Sequence, residues 1–114
     1  MRYVIFIAYE PYDFDTLPED VQAGYYRDHA AFSAYVAEHG SEVASAALAD
    51  ADQATTVRRR GDDMRVTDGP FTESAEQIVG FYLIESDHEA DLRAACERFS
   101  SRGELIEFRK MAEG

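Results

Sequence analysis

Two strongly apolar strand-like runs, residues 3–9 (YVIFIAY) and 78–84 (IVGFYLI), are each followed by signals for a helix. A chain that repeats a buried strand and a crossover helix has few ways to fold. The first run is apolar on both alternating faces and rich in β-branched and aromatic residues, as expected of a central strand covered on at least one side. Neither run approaches the ~20 residues needed to cross a bilayer.

After the first run, residues 10–15 read as a loop. Thr16-Leu17-Pro18-Glu19 then matches a capping box with proline in the first turn. The helix that starts there is expected to end at His39, because Gly40 stands where a left-handed cap is usual and His39 can serve the last carbonyls. Its apolar stripe is Val21, Tyr25, Phe32, Tyr35 and Val36. Two polar residues share that stripe, Asp28 near its middle and His29 at its edge.

Residues 42–48 form a weaker, alanine-rich strand pattern. Residues 55–59 and 64–67 flank Gly61-Asp62-Asp63, the composition of a hairpin turn. The second apolar run precedes Ser86-Asp87-His88-Glu89, again a capping box. Leu92, Ala95, Cys96 and Phe99 recur at helical spacing up to Gly103, and Ile106 and Phe108 alternate with Glu107 and Arg109 in a last strand.

The order is therefore β-α-β-β-β-β-α-β. Without the inserted β-hairpin it becomes β-α-β-β-α-β, the split βαβ pattern of a ferredoxin-like α+β domain. Such a sheet has one bare face, and a homodimer joined through its sheets would cover it.

At 114 residues the chain fits one domain, residues 1–114, and 46% hydrophobic residues suffice for a core. Eleven basic against 23 acidic residues give a net charge of -12, which disfavours nucleic acid and anionic membrane surfaces. Arg58-Arg59-Arg60 reads as a solvated hairpin end. A single Cys96 forms no internal disulfide, and a strand-like N-terminus without a charged lead points to the cytoplasm. Cys96 on an apolar stripe reads as an inert buried thiol. No metal-ligand spacing and no glycine-rich phosphate loop occurs, so no cofactor is expected.

Val66-Thr67-Asp68-Gly69-Pro70-Phe71-Thr72-Glu73, with the apolar run after it, resembles the signature of the YCII-related family, in particular its DGPF-type branch. The opening strand, Thr56-Val57-Arg58 and the hairpin extend the resemblance over most of the chain. It implies a dimeric α/β-barrel of ferredoxin-like type. Most members of that branch have no assigned activity. Some occur alongside alternative sigma factors, which implies a regulatory protein partner, and a few YCII-related proteins act as dehydrochlorinase-like lyases. In the short YCII branch a helix-one histidine and an aspartate near Gly-Pro are the proposed active pair. The matching residues here are His29 and Asp68. The arginine three residues before that histidine is replaced by Tyr26, and the nearest arginine is Arg27.

Each candidate has a structural and a functional reading. Asp68 can shape the turn with Gly69 and Pro70, or orient a neighbouring imidazole. His29 can be a histidine packed at a helix-sheet boundary, or a proton carrier near neutrality. Asp28 needs a donor such as Arg27, Arg58 or a hydroxyl, or an open cleft. Tyr9, Tyr25 and Tyr82 can be core or can line a cleft, with Arg27, Pro70 and Phe71 as further lining residues. Two functions compete: a homodimer that binds a small-molecule ligand or a regulatory partner, and a cofactor-free lyase or isomerase using a His29-Asp68 acid-base pair, with Tyr25 or Tyr82 steadying an oxyanion.

Overall fold

The computed structural model describes residues 1–10, 13–71, 75–99 and 103–112. Pro11 and Tyr12 of the first loop, and Thr72 and Glu73 of the DGPFTE stretch, lie outside them. The elements are β1 (Arg2–Tyr9), α1 (Glu19–His39), β2 (Ser41–Ala47), β3 (Thr55–Arg60), β4 (Asp63–Asp68), β5 (Gln77–Glu85), α2 (Glu89–Phe99) and β6 (Leu105–Lys110). The main sheet has the order β2-β5-β1-β6 with all neighbours antiparallel, while β3 and β4 form a separate two-stranded sheet. With the hairpin set aside, this is a split βαβ, ferredoxin-like arrangement.

The two apolar runs become the two central strands, β1 and β5, because only a strand flanked on both edges can bury so much β-branched surface. Tyr3, Ile5 and Ile7 of β1 and Tyr82 and Ile84 of β5 face the helices. There they pack with Phe32 and Val36 of α1 and with Leu92, Ala95, Cys96 and Phe99 of α2. Both helices thus cover the same face. On the opposite face Val4, Phe6 and Ala8 stand beside Leu83, Phe81 and Ile78 of β5. Ala44 and Ala46 of β2 and Leu105 of β6 extend that face. Ile78 and Leu105 are exposed there, so the uncovered face is apolar.

The stripe on α1 is as expected. Phe32 and Val36 are buried, and Val21, Tyr25, Asp28, His29 and Tyr35 are half-buried. Its ends are made differently. The Thr16-Glu19 capping box is not formed: Thr16 lies in a short 3-10 turn and donates its hydroxyl to the Asp13 carbonyl, and Pro18 caps α1 with its own carbonyl, which accepts from Val21 and Gln22. Proline fixes the extended entry without any side-chain cap. Gly40 is not left-handed either. Its φ of 172° is extended backbone, and glycine is required because a Cβ there would collide with the carbonyl oxygen of Glu85 and lie 2.8 Å from the Ser86 Cβ.

Ser86 is the latch at this junction. It donates to the last carbonyl of α1, on His39, and accepts from the amide of His88, two residues on. The helix proper begins at Glu89, with the Leu92 amide donating to the His88 carbonyl. Of the second expected box, therefore, Ser86 does accept a backbone N–H but spends its own proton on the other helix.

The hairpin pairs Arg60 with Asp63 around Gly61-Asp62, and the φ of 60° at Gly61 suits the first central position of a tight two-residue turn. Its strands leave Val57, Met64 and Val66 exposed.

Candidate functional site

Where β1 meets β5, the register shifts between Ile7 and Ala8, leaving Val79 as an extra residue opposite the break. A bulge re-aims side chains and opens local space. Beside it lies a cavity of about 350 Å³ lined by Ile7, Val79, Gly80, Phe81, Ala46 and Ala47, with Tyr9, His29, Ser45 and Tyr82 as its polar groups. Apolar walls with a few placed hydrogen-bonding groups are the usual make-up of a small-molecule pocket.

His29 reaches this cavity from α1. Its Nδ1 lies 2.8 Å from the Tyr82 hydroxyl. The ring packs edge-on against Phe99 at 4.7 Å between centroids. Phe32 and Tyr82 complete the aromatic surround, with Phe32 at 4.9 Å from Tyr82 and 4.8 Å from Phe99. Desolvation among these rings lowers the pKa of His29 from its ordinary 6.5, against the opposing charges of Glu104 and then Asp28. The imidazole is consequently neutral at pH 7.

Tyr82 moves the other way. Burial raises its pKa, the Glu42 charge adds to this, and a hydrogen bond with Ser33 partly offsets it. The phenol therefore keeps its proton near neutrality, and the bond has two forms set by the tautomer: the hydroxyl donates to a bare Nδ1, or Nδ1–H donates to the hydroxyl and leaves the Nε2 lone pair available.

Of the residues expected at a site, the structure brings Tyr9, His29 and Tyr82 to one cavity. The others lie elsewhere. Asp68 ends β4 in the hairpin sheet and is exposed; beside it the Gly69 amide donates to the Ala54 carbonyl, and Thr56 donates to the Gly69 carbonyl at 2.7 Å. Pro70 and Phe71 line a different pocket with Leu48, Ala51, Ala54 and Ile78, and Phe71 is 74% exposed. Tyr25 packs edge-on against Phe14 at 5.9 Å. Arg27 is exposed. Asp28 lies in a groove between the helices, lined also by Tyr35, Arg98 and Phe99.

Two participants were not anticipated. Ser45 of β2 enters the cavity because β2 pairs Ser45 with Tyr82. Glu104, 8% exposed, is a buried carboxylate whose charge acts on His29. The only sequence signal for it is an acid between Gly103 and an apolar strand, where a turn residue is the ordinary reading. Burial pushes the Cys96 thiol up to about 11, which keeps it protonated and unreactive. Among the described residues no three His, Cys, Asp or Glu side chains converge to hold a metal ion, and no helix is long and apolar enough to cross a membrane.

The fold and cavity define a small α+β domain of ferredoxin-like topology with a histidine-tyrosine pair in a pocket at its sheet. The YCII-related domain profile matches residues 1–105, and the chain belongs to the YCII-related family. It is also similar to an uncharacterized protein of Rhizobium meliloti (strain 1021), with 39% identity over 59 residues, 52% of this chain and 48% of that protein. The chain spans about half the length of this curated relative.

Proposed function

We propose that this protein, a member of the DGPF-type branch of its family, is a homodimer that binds a small molecule in the His29 cavity, for ligand recognition or regulation. The observation that carries this reading is the His29-Tyr82 hydrogen bond, 2.8 Å long, set in the wall of a cavity of about 350 Å³ whose other polar side chains are Tyr9 and Ser45. A planar or carbonyl-bearing compound would bury its apolar part against Ile7 and Val79, and meet hydrogen-bonding groups at His29, Tyr9 and Ser45. The apolar uncovered sheet face supports the dimer, as do the exposed Val57, Met64 and Val66 of the hairpin, since an isolated two-stranded sheet is marginal in water. Sedimentation equilibrium at micromolar concentration is expected to return the mass of two chains. The mass of one chain would remove the dimer from the reading.

The ligand claim is tested by a thermal-shift screen of small polar aromatic and carbonyl compounds. Compounds that stabilise the wild type are expected to bind His29→Gln about tenfold more weakly, the effect of losing one hydrogen bond of about 1 kcal/mol or slightly more. Equal stabilisation of both proteins would sink it.

A second reading is favoured by the neutral state of His29. In the tautomer whose Nδ1–H donates to Tyr82, the desolvated neutral imidazole can accept a proton at Nε2 from a substrate carbon or hydroxyl, the step of a cofactor-free lyase or isomerase. Here Asp68 would have to approach the ring from the hairpin, of its own chain or of a second copy. Turnover that falls by about 10²–10⁴ in His29→Gln would favour catalysis over binding.

A further inference from the structure

The carboxylate that serves His29 need not come from the hairpin. We propose that Glu104 is a positioning residue for His29, setting the charge state that the imidazole can reach in the cavity from its place just before β6. This rests on the reading that the His29 cavity is the functional site.

β6 pairs Leu105 with Ala8 and Ile106 with Ile7. Ile7 faces the helices, so Ile106 does too, and one step further the same alternation puts Glu104 on the helix side opposite Tyr9. Tyr9 lines the cavity with His29. On β5, Tyr9 is opposed by Gln77, which is also buried. The end of the sheet's helix face is thus a polar layer of Gln77, Tyr9 and Glu104, next to the His29-Tyr82 pair. Glu104 is 8% exposed, in a chain with 23 acidic residues. An ionised carboxylate is expensive to bury, and a structure keeps one inside only where other groups make use of its charge or hydrogen bonds.

Other groups around the ring come from several elements among the described residues. From α1 comes Asp28, from β1 Tyr9, and from β5 Tyr82, itself under the influence of Glu42 on β2 and Ser33 on α1. Phe99 of α2 contributes burial only. Glu104 is the largest of the charges opposing the desolvation of His29, ahead of its chain neighbour Asp28. Burial keeps the imidazole neutral at rest, and Glu104 makes the imidazolium reachable when a bound molecule gives up a proton.

The experiment is an NMR titration of the His29 ring, with nitrogen shifts reporting the tautomer, in the wild type, Glu104→Gln, Glu104→Asp, Asp28→Asn and Asp68→Asn. Glu104→Gln is expected to raise the acid dissociation constant of the imidazolium about threefold or more. Asp28→Asn should have a smaller effect, Asp68→Asn none, and Glu104→Asp should restore most of the wild-type behaviour. An unchanged His29 titration in Glu104→Gln, or a larger change in Asp68→Asn, overturns the proposal. Should Glu104→Gln not fold, the reciprocal coupling replaces it: the carboxyl carbon of Glu104 must titrate differently in His29→Gln than in the wild type, and identical curves overturn the proposal equally. These titrations use no ligand, so they can fail while the thermal-shift screen succeeds, or the reverse.

Discussion

Phe99→Ala is expected to lower the unfolding free energy by about 3–5 kcal/mol and to raise the pKa of His29 toward 6.5. Phe99 is 5% exposed and joins the two halves of the site, its ring against His29 on one side and Phe32 and Tyr82 on the other. Truncation removes core packing and admits water to the imidazole. The linkage has a definite sign. A histidine whose folded pKa is lowered adds no stability change above its unfolded pKa, and the folded state loses stability as pH falls from there through the folded pKa. In Phe99→Ala that acid-side loss should shrink, because the two pKa values converge. Urea denaturation between pH 5 and 8, with a histidine titration, reads both effects. An unchanged His29 pKa would mean that other groups desolvate the ring.

Gly40→Ala is expected to cost about 1–3 kcal/mol, and Gly40→Asn as much or more. At a left-handed cap asparagine is tolerated nearly as well as glycine. Here the backbone is extended and the obstacle is the Glu85 carbonyl and Ser86, so any side chain collides. The collision also disturbs the Ser86 latch between the last turn of α1 and the start of α2. Thermal denaturation of the two variants separates the cases: an asparagine variant close to the wild type would restore the cap.

These particulars mark how far the sequence could be read. The order of elements was legible because burying β1 and β5 demands long apolar runs, and because α1 shows its stripe even with Asp28 and His29 inside it. Helix ends were less legible. Thr16 and Gly40 carry the right residue types, but a 3-10 turn and a close approach of β5 decide what they do, and neither is a local property. For the site, His29, Tyr9 and Tyr82 lie on elements whose facing could be counted, and register brings them together. Ser45 and Glu104 could not be found in this way, since a strand pairing and a sheet end place them. Asp68 was singled out by the resemblance of its block to a family signature. That signature says nothing about where the hairpin sits relative to α1.

The most direct measurement is backbone and side-chain chemical-shift mapping of the stabilising compounds, in the wild type and in Tyr82→Phe. Binding at the His29-Tyr82 pair requires perturbations centred on Ile7, Tyr9, His29, Ser45 and Val79, with affinity reduced several-fold in Tyr82→Phe. Perturbations centred on Phe71 and Leu48, or an affinity that ignores the loss of the Tyr82 hydroxyl, would contradict it.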